Sequence, residues 1–125
     1  MNDQATISKE PLEREYDLEQ RTAAFGEAVI AFARTIPLTE ITRPPISQLV
    51  RAGTSIGANY VEADDADSKK DFKFKIGLCR REAKETKHWL RMIVAAEPKL
   101  RETARPLWQE AQELNLIFSA IKRKC

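Results

Sequence analysis

This sequence predicts an all-α fold, an antiparallel up-down-up-down four-helix bundle, and three observations carry that reading. Apolar residues recur at alternating spacings of 4 and 3 in two stretches, Phe72 to Ile93 and Leu107 to Ile121. This is the rhythm of helices that pack nearly parallel to their neighbours. The chain holds only four glycines and 7% aromatic residues, a composition that suits helices better than sheets. The breaks after the second and third periodic stretches are short, so the helices they join must double back on one another. At 125 residues the chain fills one domain around one core.

Residues 1–14 lack an apolar period and carry Pro11, and are expected to form a flexible N-terminal arm ahead of a bundle domain over residues 15–125. The first helix is predicted from Tyr16 to Ile36, with Leu18, Phe25, Val29, Phe32 and Ile36 as its seam. Pro37 ends it. The segment PLTEITRPP holds three prolines in nine residues, a stiff link that lets the second helix start after Pro45.

The second helix, Ile46 to Ala63, has a predicted core stripe of Ile46, Leu49, Val50, Gly53, Ile56, Gly57, Tyr60 and Val61. A glycine inside a helix costs up to about 1 kcal/mol relative to alanine, so Gly53 and Gly57 imply a neighbouring helix at short distance. Arg51, Ser55, Asn59 and Glu62 fall within an arc of roughly 80° on the same helix at 100° per residue. That polar line reads as a solvated face or a hydrogen-bond network that fixes helix pairing, or else as a site for an anion or planar group. The charges Arg51 and Glu62 also exclude a lipid setting for this small-residue stripe.

An acidic turn follows, with Glu62, Asp64, Asp65, Asp67 and Asp71 close together. It lacks the central glycine and closing glutamate of a calcium-binding loop, and Ser68 with Asp71 instead forms a capping box for the next helix. The third helix, Lys69 to Ala96, carries the seam Phe72, Ile76, Cys79, Ala83, Thr86, Leu90 and Ile93. Its polar residues are sorted by sign. Lys73, Arg80, Lys84, Lys87 and Arg91 form a basic stripe on one side, over about 27 Å of helix. Leu78, Glu82, Glu85 and Trp89 lie on the other side. The fourth helix is expected from Thr103 or Arg105 to the end, with Pro106 in its first turn. Leu107, Ala111, Leu114, Phe118 and Ile121 form its seam, and Trp108 and Ile117 widen that face.

Net charge is +2, so distribution matters more than balance. Residues 69–91 hold nine Lys or Arg against three acids, while the first twenty residues hold six acids against two bases. Cys79 on a core seam and Cys125 at the end suggest no disulfide framework but a reduced, cytoplasmic protein. No apolar run approaches the roughly 20 residues of a membrane span, and no secretory signal is visible. His88 stands alone and no second histidine or paired cysteine accompanies it, so no metal or cofactor is expected. No nucleophile and base are recognisably paired, which argues against an enzyme.

The run LVRAGTSIGANYVEADDADSKKDF followed by KIGLCRREAKETKHWLRMI resembles the bacterial four-helix bundle family first noticed in intervening sequences of large-subunit ribosomal RNA genes. It is similar, more distantly, to the accessory variability determinant of diversity-generating retroelements. Arg51, Ser55, Ile56, Asn59, Glu62, Ser68, Asp71, Phe72, Glu82, Glu85 and Trp89 carry the likeness, which extends over about residues 16–123. The resemblance implies a helical bundle assembled as a ring, typically a homopentamer. In the retroelement branch it implies a basic ring that binds nucleic acid and a reverse transcriptase.

The resulting expectation is a non-enzymatic homo-oligomer. Phe74, Leu78, Trp89 and Met92, apolar and off the seam, are expected to line the contact between subunits. Arg51, Ser55, Asn59, Glu62, Glu82, Glu85 and Trp89 are expected to form a polar network or interface. Lys73, Arg80, Lys84, Lys87 and Arg91 are the candidate contacts to RNA or DNA. With no aromatic residue interleaved in that stripe, base stacking is expected to be minor. The alternative is a scaffold that binds other proteins, in which the stripe is only a solvated face.

Overall fold

The structure is a computed structural model that describes residues 11–125, with side chains from Leu18 onward. Four helices run in order, α1 Pro11–Ala33, α2 Arg43–Asp64, α3 Lys69–Ala96 and α4 Arg101–Lys124. Each packs on its sequence neighbours, and α1 touches α4 to close the bundle. Every consecutive pair is antiparallel. Val29 and Thr22 of α1 meet Gly53 and Gly57 of α2; Arg51 and Glu62 of α2 reach Glu82 and Lys75 of α3; Lys87 and Arg80 of α3 face Gln112 and Asn115 of α4. In each pair the numbers fall along one helix as they rise along the other, which makes the course up-down-up-down.

The seams of α1, α3 and α4 form the core. Leu18, Phe25, Val29, Phe32 and Ile36 are buried, as are Ile76, Cys79, Ala83, Leu90 and Ile93, and Ala104, Leu107, Ala111, Leu114 and Phe118. Phe72 and Ile121 are partly buried against them. Thr22 and Thr86 are buried without cost because each hydroxyl donates to a carbonyl one turn back, Leu18 O and Glu82 O, both at 2.7 Å. On α2 the expected Leu49, Gly53, Ile56 and Tyr60 are buried in the same core, and the face differs from the expected one only at its edges. Ala52 and Ala63 are buried, while Val61 is 52% exposed. The glycines draw α1 in close, and that turns α2 toward its small residues.

Several boundaries differ from the expectation, most of them where a proline fits a helix start. Of the expected arm, residues 1–10 lie outside the described residues, and α1 already begins at Pro11. Helix α2 starts at Arg43 and takes Pro44 and Pro45 into its first turn, where the missing N–H is no loss. Helix α1 stops at Ala33 rather than Ile36; the chain then closes 3-10-type bonds, Thr35 N to Phe32 O and Ile36 N to Ala33 O. The link is held by two threonines. Thr42 Oγ1 donates to Pro37 O at 2.6 Å and accepts from Thr39 N at 2.9 Å, while Thr39 Oγ1 accepts from Ile41 N and Thr42 N at 3.1 Å. Helix α4 starts at Arg101, directly after a 3-10 turn at Pro98–Leu100, so Pro106 lies in its second turn, not its first. Helix α3 has the expected bounds, and Ser68 Oγ accepts from Asp71 N at 3.0 Å at its start.

Candidate nucleic-acid interface

Two charged faces flank α3, and they differ in whether their charges are answered. On the α2 side Arg51 lies between Glu82 and Glu85, 3.3 Å from the first and 2.6 Å from the second. The hydrogen bond that Arg51 donates to Glu85, ahead of the charge of both carboxylates, holds the guanidinium above its ordinary value. Glu62 pairs with Lys75 at 2.5 Å. Ser55 and Asn59 bond to their own helix, Ser55 Oγ to Arg51 O at 2.6 Å and Asn59 Nδ2 to Ser55 O at 2.9 Å. The polar line is therefore a set of ion pairs between α2 and α3 with two side chains folded back on the α2 backbone. Trp89 is half-buried against the core, its ring edge-on to His88 at 4.8 Å. Leu78 and Met92 are also half-buried, and of the four off-seam residues expected to line a contact only Phe74, 59% exposed, stands out from the surface. Packing between antiparallel neighbours covers more of this flank than a single-helix projection allows.

The α4 side is different. Among the described residues Lys73, Arg80, Lys84, Lys87 and Arg91 make no ion pair. Helix α4 adds to them. Asn115 Nδ2 donates to Arg80 O at 3.0 Å, and Lys122 extends alongside Gly77, where an added Cβ would lie 3.0 Å from its Nζ. That register sets Lys122 and Arg123 beside Lys73 and Arg80, around an open basin of about 440 Å³ with Ser119 on its wall. Further along, Lys87 donates to Gln112 Oε1 and its ammonium stands 5.3 Å from the centre of the Trp108 ring. At the far end Arg91 meets Arg101 and Arg105 around a larger cleft of about 580 Å³. The five residues of the stripe thus lie on one continuous basic face shared by two helices.

Lys122, Arg123, Arg101, Arg105 and Trp108 are the members that the sequence reading did not assign to this face. The first two suited a helix C-terminus, and Trp108 was placed on the core side, whereas it is 41% exposed. Folding the chain back on itself at Pro98 would have found them, since that hairpin sets the end of α4 opposite the start of α3 and the start of α4 opposite the end of α3.

Among the described residues no group of three or more His, Cys, Asp or Glu is placed to hold a metal ion, and no helix is long and apolar enough to cross a membrane. Both cysteines are free thiols, Cys79 buried and Cys125 exposed. Burial pushes the Cys79 thiol up to about 12.

Comparison with known proteins places this geometry. The model of the 23S rRNA-intervening sequence protein family matches residues 14–120. The chain belongs to that family. As a member of the intervening sequence proteins it also matches a solved structure, a protein of unknown function from the S23 ribosomal protein family of Bacteroides thetaiotaomicron. The TM-score is 0.76 and identity 25%, covering 87% of this chain and 97% of the other. No curated protein matches. The family assignment agrees with the resemblance carried by Arg51 to Ile93.

Proposed function

We propose that this intervening sequence protein is a non-enzymatic, cytoplasmic homo-oligomer that binds RNA or DNA through the basic face of α3 and α4. One observation supports the reading above others, the grouping of six unpaired cations on one side of the bundle. Among the described residues Arg34, Arg43, Arg81 and Lys99 also make no ion pair but do not belong to that group. Arg21, Arg51, Lys75 and Arg105 are each paired with carboxylates, whereas Lys73, Arg80, Lys84, Arg91, Lys122 and Arg123 share one side of the bundle without a carboxylate partner. A chain with 21 bases and 19 acids gains no such surface from net charge. Arginines hold phosphates through two hydrogen bonds and lysines add point charge. A homo-oligomer repeats the face, so weak contacts add through multivalency.

The test is binding of RNA, single-stranded DNA and duplex DNA by wild type and by Lys84→Glu with Lys87→Glu, titrated with salt. If about four phosphates are neutralised per face, affinity falls about 50-fold for single strands and about 150-fold for duplex DNA between 50 and 200 mM salt, and the double charge reversal reduces the salt slope by about two. Equal binding by both proteins, or binding by neither, refutes the proposal. Those outcomes favour an interaction scaffold, for which an apolar groove between α1 and α2, edged by the exposed Ile30 and Val61, would be the contact surface.

A further inference from the structure

The cleft where α3 turns into α4 differs from the rest of the basic face in having several small apolar residues and one tryptophan in its lining. Val94, Ala95, Pro98 and Ala104 line it, with Trp108 beside them. The Trp108 ring is 41% exposed, and the Lys87 ammonium stands over it at 5.3 Å from the ring centre. Arg91 and Arg101 border the same cleft without ion-pair partners. Arg105 is bound to Glu102 at 3.1 Å. At about 580 Å³ the space is within the range of pockets that hold small ligands.

We propose that this cleft is a stacking site for an unpaired base, and that it gives the protein a preference for single-stranded over duplex nucleic acid. This rests on the nucleic-acid reading above and deepens it. An indole offers a flat face on which any base can stack without reading its sequence. Its base-facing side is useful only to a strand whose bases are free, since a duplex presents phosphates and hides its base faces. The cations supply the other half of a nucleotide's chemistry. Lys87 stands at the ring and Arg91 and Arg101 at the rim, so a base on Trp108 has its phosphates among three positive side chains. The cleft is continuous with the cation ladder through Lys87 and Arg91, so a strand following the ladder reaches the ring without leaving the basic face. An aromatic, acidic peptide would answer some of the same groups. The small apolar lining residues and the continuity with the basic face favour a nucleotide.

The experiment compares a 20-residue oligouridine with a 20-base-pair duplex, on wild type, Trp108→Leu, Trp108→Phe and the Lys84→Glu, Lys87→Glu variant. Trp108→Leu should weaken oligouridine binding about tenfold and leave duplex binding within about twofold, with Trp108→Phe between it and wild type. Trp108 fluorescence, read in a Trp89→Phe background, should be quenched by the oligonucleotide. Loss of binding by the charge variant with an unchanged single-strand preference in Trp108→Leu would overturn the stacking site and leave the basic face standing. Absence of binding by wild type would overturn both. Quenching of Trp108 by an acidic aromatic peptide but not by oligouridine would assign the cleft to a protein and overturn the proposal.

Discussion

Replacing Gly53 by alanine should destabilise this protein, whereas the same change at Gly26 should stabilise it. Both glycines lie in the contact between α1 and α2, and none in the described chain has a positive φ, so what matters is space. In a helix interior alanine is worth roughly 0.5–1 kcal/mol over glycine. At Gly26 an added Cβ would meet Thr54 Cα at 3.5 Å and Gly53 O at 3.7 Å, ordinary contact, so the gain is kept. At Gly53 it would lie 2.9 Å from both γ-carbons of Val29, well inside the 3.5–4.0 Å at which carbons rest. Val29 is 0% exposed and its branched side chain has essentially one rotamer in a helix. It cannot turn aside, so the helices must separate, at an overpacking cost of about 1–3 kcal/mol. The net effect is a loss of about 0.5–2 kcal/mol for Gly53→Ala, or about 2–8 °C in Tm. Gly26→Ala should raise Tm by about 2–4 °C. Thermal unfolding followed by far-UV circular dichroism reads both. A Gly53→Ala protein as stable as Gly26→Ala would refute the close approach, and Val29→Ala should cost less in the Gly53→Ala background than alone.

Arg21→Ala should lower stability by about 1 kcal/mol or somewhat more and Arg51→Ala by at most about 1 kcal/mol, because Arg21 joins α1 to Glu110 through two bonds at 2.6 and 2.9 Å and is the less exposed of the two; urea denaturation of both variants checks the order. A thiol reagent at neutral pH should modify Cys125 alone in the native protein and both cysteines in urea, as read by mass spectrometry. Since Cys79 stays neutral to about 12 against an ordinary 9.0, the folded state holds one more proton than the unfolded state between those values. Stability should therefore fall as pH rises through that window, by up to about 1.4 kcal/mol per pH unit, and less steeply in Cys79→Ala. In solution the protein should run as a closed homo-oligomer, of five subunits as the family resemblance implies; a monomer mass by light scattering at micromolar concentration would end that expectation.

The fold was legible because the apolar spacing of α3 and α4 admits little else, and the start of α3 was fixed by Ser68 as its cap and Asp71 in its first turn. The helix starts were less legible, since Pro44, Pro45 and Pro98 read equally as breakers and as first-turn residues. The basic face was half legible. Its α3 members share one helix and can be placed by angle alone. Lys122, Arg101 and Trp108 join it only through the register of two helices, which no single-helix projection contains. The same limit placed Leu78, Trp89 and Met92 at the surface, where the neighbouring helices in fact half-cover them.

Because each helix packs on the one before and after it in sequence, most native contacts form between residues separated by one short link. The joins between distant parts of the chain are few, among them Arg21 to Glu110 and Glu113 and the Tyr60 ring 5.8 Å from Phe118. Low separation of contacts keeps the loop-closure entropy of the early steps small, which places folding in the microsecond-to-millisecond range of helical bundles. Any of the three hairpins can then nucleate, and the capture of α4 by α1 through Arg21 becomes a late event. Substitutions at Arg21 should accordingly speed unfolding while leaving the folding rate almost unchanged.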